Sequence, residues 1–213
     1  MWGHLRHTGL CGAHSLTVAA PVVTLGAPPA RLTLREPRRV AVVGTTGSGK
    51  TVLARRLAGI LGARHVELDA LHWEPGWVPA PGPVFRARVD AALTGDRWVC
   101  DGNYHLAREI VWGRANELVW LDYSLGLILF RLLKRTTRRL FTREELWNGN
   151  REGGHAFVGR DSLFLWALKT YWRRKREYRA LLQDPAYRHL EVVRLMSPAE
   201  TEGWVRRVAC LRS

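Results

Sequence analysis

The sequence predicts an α/β fold in which a five-stranded parallel sheet carries helices on both faces. Three observations favour this fold. Apolar runs and helical patterns alternate along the chain after residue 38. An acidic residue directly follows three of the apolar runs, at Asp69, Asp101 and Asp122. A glycine-rich segment, residues 44–51, connects the first apolar run to the first helical pattern. Together these features are typical of a doubly wound, three-layer domain.

The glycine-rich segment from Gly44 to Thr51 reads GTTGSGKT and satisfies the pattern G-x-x-x-x-G-K-[ST]. It follows the apolar run Val40 to Val43 and precedes a helical pattern, which is the context that a phosphate-binding loop requires. A glycine-rich turn with a surface lysine is the alternative interpretation. The combined sequence and context predict a three-layer P-loop NTPase fold.

The physical chemistry of this segment predicts an ATP and Mg²⁺ site. The glycines allow positive φ and close backbone approach, so successive N–H groups can surround an anion at a helix N-terminus. Lys50 adds positive charge for the β and γ phosphates, and the Thr51 hydroxyl can ligate Mg²⁺. The predicted nucleotide-binding residues are Gly44, Thr45, Thr46, Gly47, Ser48, Gly49, Lys50 and Thr51.

Composition sets limits on the class of protein. The 213 residues include 46% hydrophobic residues and carry a net charge of +14, so we expect a globular domain with anionic partners, either phosphate compounds or nucleic acid. Cys11, Cys100 and Cys210 are widely spaced and outside any metal-binding pattern, which predicts reduced thiols and a cytoplasmic protein. The apolar run Leu125 to Leu133 is interrupted by Arg131 and is too short to span a bilayer.

Residues 1–37 differ from the rest of the chain. They contain four prolines, have no acidic residue before Glu36 and show no sustained periodicity. The stretch Leu16 to Leu25 is a poor signal-peptide core because Pro21 interrupts it. We therefore expect a disordered N-terminal extension, followed by one P-loop kinase-like domain over residues 38–213.

The remaining elements follow from periodicity and from turn residues. The first helix is predicted to end at Gly62, and a second helix around Phe85 to Leu93 is predicted to stop at Gly95. The other four strands are predicted at His65–Leu68, Trp98–Cys100, Leu118–Leu121 and His189–Leu195. The closing helix has an N-cap, a proline at its first position and a capping-box partner, namely Ser197, Pro198 and Glu200.

A segment rich in proline and glycine, residues 70–83, follows the second strand. Its composition predicts a long irregular loop beside the carboxyl end of a strand, where open α/β sheets bind their ligands. Two tryptophans of this segment, Trp73 and Trp77, either pack the loop or line an acceptor pocket.

Asp101 is the candidate metal-side acid. It follows the third buried run and precedes Gly102, Asn103 and Tyr104. An acidic residue at the tip of a buried strand beside a phosphate loop is the usual place to hold Mg²⁺ or its water, although a plain turn residue is the alternative. We therefore predict a metal site formed by Thr51 and Asp101.

Between the fourth and fifth strands lies a region dense in arginine, with Arg131, Arg135, Arg138, Arg139, Arg143, Arg151 and Arg160. Residues 148–155 read NGNREGGH, a composition that predicts a mobile loop, and a helix is predicted from Asp161. Charge runs are usually solvated faces. A loop with glycine hinges and arginines also fits a lid, which we place at about residues 136–162, because cations that close over a migrating phosphoryl group lower its barrier.

At these motifs the chain resembles the P-loop small-molecule kinases, the group of adenylate, shikimate and gluconate kinases. Within that group it is most similar to the DNA topology modulation proteins, or adenylate kinase-like ATPases. The segments that carry this similarity are LDALHWEPGW (68–77), WVCDGNY (98–104), WLDY (120–123) and TREELWNGNRE (142–152). The likeness covers residues 38–208.

The resemblance implies roles for several residues outside the phosphate loop. Arg131 and Arg135 follow Asp122 at the spacing of the lid arginines of adenylate kinases, and Arg174 with Tyr178 resembles a later Arg-x-x-x-Tyr of that family. The spacing alone does not establish contact with phosphate.

Two departures from adenylate kinases concern the acceptor side. Histidines, His72 and His105, stand where arginines of the nucleoside monophosphate clamp are expected, so the resemblance to that clamp is incomplete. The sequence AspAlaLeuHis instead looks like the acceptor-side acid and histidine of gluconate kinase. This similarity implies a hydroxyl acceptor that Asp69 orients or deprotonates, because a carboxylate suits a hydroxyl nucleophile better than an anionic phosphate.

These observations lead to one functional hypothesis and one alternative. The hypothesis is an ATP- and Mg²⁺-dependent kinase of a small acceptor such as a nucleotide, a nucleoside or a hydroxyl-bearing metabolite. Its predicted catalytic residues are Lys50, Asp69, Arg131, Arg135 and Arg174. The alternative is an ATP-binding regulatory protein, or a nucleic-acid-binding protein related to DNA topology. It is not favoured, because no recognition helix, zinc finger or RNP-like pattern is present.

Overall fold

The structure is a computed structural model, and it describes residues 23–25, 38–142, 145–150 and 163–211. Within these residues the strands are β1 (Val23–Leu25), β2 (Arg38–Gly44), β3 (Arg64–Glu67), β4 (Trp73–Glu74), β5 (Val78–Pro79), β6 (Arg97–Asp101), β7 (Glu117–Leu121) and β8 (Glu191–Leu195). The α-helices of the same ranges are α1 (Lys50–Leu61), α2 (Leu68–His72), α3 (Gly82–Ala92), α4 (His105–Arg114), α5 (Leu125–Thr142), α6 (Leu163–Leu181) and α7 (Pro198–Cys210).

The main sheet is parallel and has the strand order β1-β8-β7-β2-β6-β3. The predicted α/β class and its five parallel strands are therefore confirmed. In this order β2 lies between β6 and β7, so that Val42 is in register with Asp101 on one side and with Val119 on the other. The carboxyl end of β2, where the glycine-rich segment begins, is thus adjacent to the ends of two further strands.

A sixth strand, β1, pairs in parallel with β8 and was not predicted. It lies inside the segment 1–37 that composition separates from the domain. The other residues of that segment lie outside the described ranges, and their disorder stays a prediction.

The sheet is covered by helices on both faces, and side chains along β2 alternate between the two sides. Ala41 and Val43 belong to a core that also contains Phe85 of α3 and Trp112 of α4. Val40 and Val42 belong to the core on the opposite face, together with Leu57 of α1 and other residues of α1, α5 and α7. This alternation with period two, buried on both sides, is the expected signature of a central strand in a three-layer domain.

Local end signals of the helices behave as predicted. Helix α1 ends at Gly62, which has a φ of 60° and donates its N–H to the carbonyl groups of the last turn. Helix α7 begins at Pro198 after Ser197, whose hydroxyl accepts a hydrogen bond from the Glu200 N–H at 3.2 Å. These caps depend on neighbours in sequence, which is why the sequence alone could identify them.

The prediction of a long irregular loop over residues 70–83 is wrong. Helix α2 begins directly after β3, so Asp69 lies in a helical turn, and β4 and β5 then pair as an antiparallel hairpin. Trp77, at the turn of this hairpin, has a φ of 61°. The Ala80 N–H closes the base of the hairpin by donating to the His72 carbonyl at 2.7 Å. Proline and glycine here encode tight turns rather than disorder.

The region between β7 and β8 contains the two longest helices of the described residues, α5 and α6. The predicted lid, residues 136–162, starts inside α5 and continues into a short turn at Trp147–Gly149. Residues 151–162 lie outside the described ranges, as do Arg143 and Glu144. A membrane-spanning helix is not found anywhere in the described part of the chain.

Candidate active site

The phosphate loop (residues 44–51) adopts a conformation that depends on its glycines. Gly47 and Gly49 have φ values of 85° and 93°, in the region that side chains rarely adopt. A Cβ atom added at Gly44 would lie 2.8 Å from the Leu121 carbonyl oxygen, so a larger residue cannot fit there without displacing β7. The Ser48 N–H donates to the Thr45 carbonyl at 3.0 Å and closes the turn. The loop thus curves around the N-terminus of α1, where unpaired N–H groups attract anions.

Lys50 lies in a site that disfavours its own charge. Its Nζ donates to the Thr45 carbonyl at 3.3 Å. Burial, followed by Arg174 and to a smaller extent Arg135, lowers the pKa of Lys50 from 10.5 to about 8, while Asp69 and Asp101 oppose the shift. The same interactions show that the predicted catalytic residues Lys50, Asp69, Arg135 and Arg174 lie together. A cation that is desolvated beside two guanidinium groups would be stabilised by a bound anion.

Asp101 connects the phosphate loop to β3. It is 2% exposed, and its Oδ2 accepts a hydrogen bond from the Thr51 Oγ1 at 2.7 Å. Its Oδ1 lies 2.7 Å from the His65 Nε2. The structure thus brings Thr51 and Asp101 together, and their role in binding a metal ion stays a prediction. His65 was missed in the sequence, because its relation to Asp101 depends on the register of β3 against β6, where Glu67 pairs with Asp101.

Asp69, the predicted acceptor-side acid, lies in α2 just beyond the end of β3. Its Oδ1 accepts a hydrogen bond from the Tyr104 hydroxyl at 2.5 Å. Burial raises the pKa of Tyr104, and Asp69 raises it further, so this hydroxyl stays a donor. His72 packs against aromatic rings, including that of Tyr104 at a centroid distance of 4.3 Å. Burial lowers the pKa of His72 against the opposing effect of Asp69, which favours a neutral ring.

The predicted lid arginines reach the phosphate loop from two helices. Arg131, on α5, donates from its Nη1 to the Ser48 carbonyl at 2.9 Å, and its guanidinium lies 5.1 Å from the Tyr123 ring centroid. Arg135 follows one helical turn later, and both Arg135 and Arg174, the latter on α6, lie near enough to Lys50 to lower its pKa. The Nη1 atom of Arg174 is buried and has no hydrogen-bond partner among the described residues. An unpaired buried N–H group of a guanidinium is costly unless a ligand accepts it.

Asn103 ties helix α6 to the first residue of the phosphate loop, and the sequence analysis assigned it no role. Its Nδ2 donates to the Gly44 carbonyl at 2.5 Å. Its Oδ1 accepts a hydrogen bond from the Tyr178 hydroxyl at 2.9 Å. Because Tyr178 is one turn beyond Arg174 on α6, this bridge fixes the distance between the phosphate loop and the helix that carries Arg174.

Asp122, the third strand-end acid, serves the fold. Its carboxylate forms an ion pair with Arg194 of β8 and another, at 2.9 Å, with the Lys175 Nζ of α6. Two cations compensate this buried carboxylate, which is the condition under which a buried charge is tolerated. The sequence pattern correctly placed this acid at a strand end, but strand position alone cannot distinguish a metal-side acid from a structural one.

The residues of the site fit a nucleoside triphosphate with Mg²⁺. Burial lowers the pKa of Lys50, which a bound anion would offset, and the buried Nη1 of Arg174 has no hydrogen-bond partner among the described residues. The Ser48 hydroxyl is likewise buried without a hydrogen-bond partner among the described residues. Thr51 and Asp101 would hold the metal ion, since Mg²⁺ is usually bound by one or two protein groups together with substrate phosphates.

Comparisons with known proteins give distant structural matches. No protein-family model matches the chain, and no curated protein matches it. Shikimate kinase from Acinetobacter baumannii in complex with shikimate is 18% identical, with a TM-score of 0.49, over 83% of this chain and 93% of that chain. A gluconokinase from Sinorhizobium meliloti 1021 is 20% identical, with a TM-score of 0.45, over 82% and 95% of the two chains.

A sugar kinase from Janibacter sp. HTCC2649, in an unliganded structure, is 19% identical, with a TM-score of 0.45, over 82% of this chain and 93% of that chain. Identities and TM-scores of this size do not assign the chain to a family or to a substrate. The similarity to DNA topology modulation proteins is not confirmed by these comparisons, and neither is an adenylate kinase-like specificity.

Proposed function

We propose that this protein is an ATP- and Mg²⁺-dependent phosphotransferase that acts on a small hydroxyl-bearing acceptor. The observation that carries the proposal is the hydrogen bond between Thr51 and Asp101, at 2.7 Å, beside the desolvated Lys50. It brings Thr51 and Asp101 together near Lys50 at one end of the sheet, which supports roles for these residues in binding a metal ion and phosphate. Catalysis of phosphoryl transfer depends mainly on such positioning and on charge stabilisation.

The residues have distinct roles in this proposal. The phosphate loop and Lys50 bind the polyphosphate of ATP, which supplies the phosphoryl group when it is bound. Arg131, Arg135 and Arg174 stabilise the charge of the transferred group. Asp69 orients the acceptor hydroxyl and takes its proton, and the Tyr104 hydroxyl holds the carboxylate in place through its 2.5 Å hydrogen bond.

The acceptor side favours a hydroxyl over a nucleoside monophosphate. The carboxylates of Glu67 and Asp69 lie at the end of β3, within electrostatic reach of each other. His72, at one expected clamp position, is enclosed by aromatic rings, and His105, at the other, is exposed at the start of α4. A phosphorylated acceptor would thus lie beside two acids and lack the two clamp arginines of adenylate kinases.

The test uses labelled ATP with Mg²⁺ and a panel of nucleoside monophosphates, nucleosides, sugar acids and uncharged polyols. We expect label on one hydroxyl compound, and loss of the labelled product in Lys50→Ala. Lys134→Ala is the matched control, because Lys134 is exposed on α5. Unchanged ATP consumption in Lys50→Ala would contradict the proposal, and release of inorganic phosphate alone would favour an ATPase. DNA binding that weakens steeply as salt rises would favour the nucleic-acid alternative.

A further inference from the structure

Residues Leu146–Asn150 form a compact turn, which we call the docked turn. The Leu146 N–H donates to the Asn150 carbonyl at 2.7 Å, and the Asn150 N–H donates back to the Trp147 carbonyl at 3.2 Å. Asn148, at the tip, has a φ of 54°, a conformation that asparagine tolerates better than most residues. The mobility that composition predicts for residues 148–155 stays a prediction, and residues 151–155 lie outside the described ranges.

The docked turn is fixed to the β4–β5 hairpin by its asparagine side chains. The Asn150 Nδ2 donates to the Glu74 carbonyl at 2.9 Å, while its Oδ1 accepts from the Trp77 N–H at 2.9 Å. The Nδ2 of Asn148 donates to the Trp73 carbonyl. Asn150 is 4% exposed, so its amide has exchanged water for two main-chain partners. A side-chain amide that pairs as both donor and acceptor fixes position and orientation together.

This docking places Trp147 at the acceptor side of the site. Burial raises the pKa of Glu67, at the end of β3, and the nearby Trp147 side chain opposes this shift. Its ring packs edge to face on Trp77 at a centroid distance of 6.3 Å, and Trp77 packs in the same way on Trp73 at 5.6 Å. All three tryptophans are half-buried. Glu67 precedes Asp69 by two residues, so this group of rings borders the strand end where Asp69 lies.

A short stretch of chain connects the docked turn to α5. Helix α5 carries Arg131 and Arg135 toward the phosphate loop and ends at Thr142, only a few residues before Leu146. The same stretch of chain therefore contacts the phosphate loop at one end and the hairpin at the other. The distance between the arginines and the acceptor-side rings is restricted by this short connection.

We propose that Trp147 is part of the acceptor-binding surface and that Asn150 is the positioning residue that holds it there. This inference rests on the proposed function. The surface combines ring faces with the carboxylates of Glu67 and Asp69, which accept hydrogen bonds from hydroxyl groups and repel phosphate. The class of ligand that fits is a hydroxyl compound without a phosphate group. The ring faces also exclude water from the acceptor.

The first experiment measures hydrogen exchange of the Trp77 and Ala80 amides in the wild-type protein. The protein is saturated with a non-hydrolysable ATP analogue and Mg²⁺, and each compound of the acceptor panel is added in turn. We expect one hydroxyl compound to slow exchange in the hairpin and the docked turn by about tenfold, whereas nucleoside monophosphates have no effect. Absence of protection by every compound overturns the inference.

The second experiment uses Asn150→Ala, Asn150→Asp and Trp147→Phe. The aspartate retains the acceptor for Trp77 but loses the donor to Glu74, and the phenylalanine retains a ring but loses the indole N–H beside Glu67. We expect an increase of about ten- to a hundred-fold in the acceptor KM for Asn150→Ala, with smaller increases in the other two variants. The Kd for ATP should change less than about twofold in all three.

Asn116→Ala is the matched control, because the Asn116 Oδ1 accepts from the Arg39 N–H at 2.7 Å at the opposite end of the sheet. It removes a similar asparagine contact with main chain, and the acceptor KM should not change. An unchanged acceptor KM in a folded Asn150→Ala overturns the inference and leaves the kinase proposal intact. If the wild-type protein does not bind ATP, by contrast, the proposed function is refuted.

Discussion

Replacing Lys50 by methionine should stabilise the protein while it abolishes nucleotide binding. Burial, together with nearby arginines, lowers the pKa of Lys50 from 10.5 to about 8. Because the pKa of Lys50 is lower in the folded protein than in the unfolded chain, the unfolded chain binds this proton more tightly. The charged side chain therefore costs stability below about pH 8, and this cost disappears as the pH rises from about 8 to 10.5.

The size of the effect follows from the same values. A lowering of the pKa from 10.5 to about 8 corresponds to about 3 kcal/mol against the charged form near pH 7. Methionine has a similar length and no charge, but it loses the hydrogen bond from Nζ to the Thr45 carbonyl, worth about 1 kcal/mol. The net expected gain is about 1–2 kcal/mol, or a rise of several degrees in Tm, at about 2–4 °C per kcal/mol for a chain of this size.

Urea unfolding near pH 7 and near pH 10, and thermal unfolding with and without ATP and Mg²⁺, measure both halves of this prediction. Wild type should gain stability from the nucleotide, whereas Lys50→Met should not. The advantage of the variant should shrink at the higher pH. Lys134→Met, on the exposed surface of α5, controls for loss of a positive charge. A variant less stable than wild type near pH 7, or one that ATP still stabilises, refutes the reasoning.

Three further predictions concern single side chains. His65→Ala should weaken Mg²⁺ affinity in the presence of ATP about tenfold, because Asp101 loses its 2.7 Å contact; calorimetry showing equal affinity would contradict this role. Burial raises the pKa of Glu117 from 4.5 to about 7, so stability should fall as pH rises between these values. In urea unfolding, Glu117→Gln should reduce this pH-dependent loss of unfolding free energy by up to about 3 kcal/mol. If the unfolding free energies of wild type and variant change in parallel with pH, this role of Glu117 is excluded. Gly44→Ala should destabilise the fold by about 1–3 kcal/mol and abolish ATP binding in calorimetry. Gly59→Ala is the control and should be neutral or stabilising, because an added Cβ on this residue of α1 would meet open space. Equal effects of the two substitutions would contradict the steric argument.

Sequence patterns identified the part of the molecule that depends on neighbours in the chain. The strand, glycine loop and helix from Val40 to Leu61 form a continuous unit, and its motif specifies both conformation and charge. The acids at positions 69 and 101 follow buried runs, so the shared geometry of parallel strand ends was sufficient to bring them near Lys50. The roles of Asp69, Arg131, Arg135 and Arg174 stay proposals.

Contacts between distant segments were not visible in the sequence. Asn150 bonds the hairpin across about 75 residues, and Asn103 joins Gly44 to Tyr178 across intervals of 59 and 75 residues. An asparagine in a segment rich in glycine is usually a turn residue, and no local signal distinguishes one whose amide is buried against another segment. The hairpin was misjudged for the same reason, since its docked partner lies far along the chain.

The short strand β1 covers the edge of the sheet at β8. By pairing with Val192–Arg194 it occupies main-chain groups of β8 that would otherwise offer a template for strand addition. A strand of three residues offers little length for such pairing in its turn. Three residues from a segment whose composition suggests no structural role therefore cover the edge that β8 would otherwise expose.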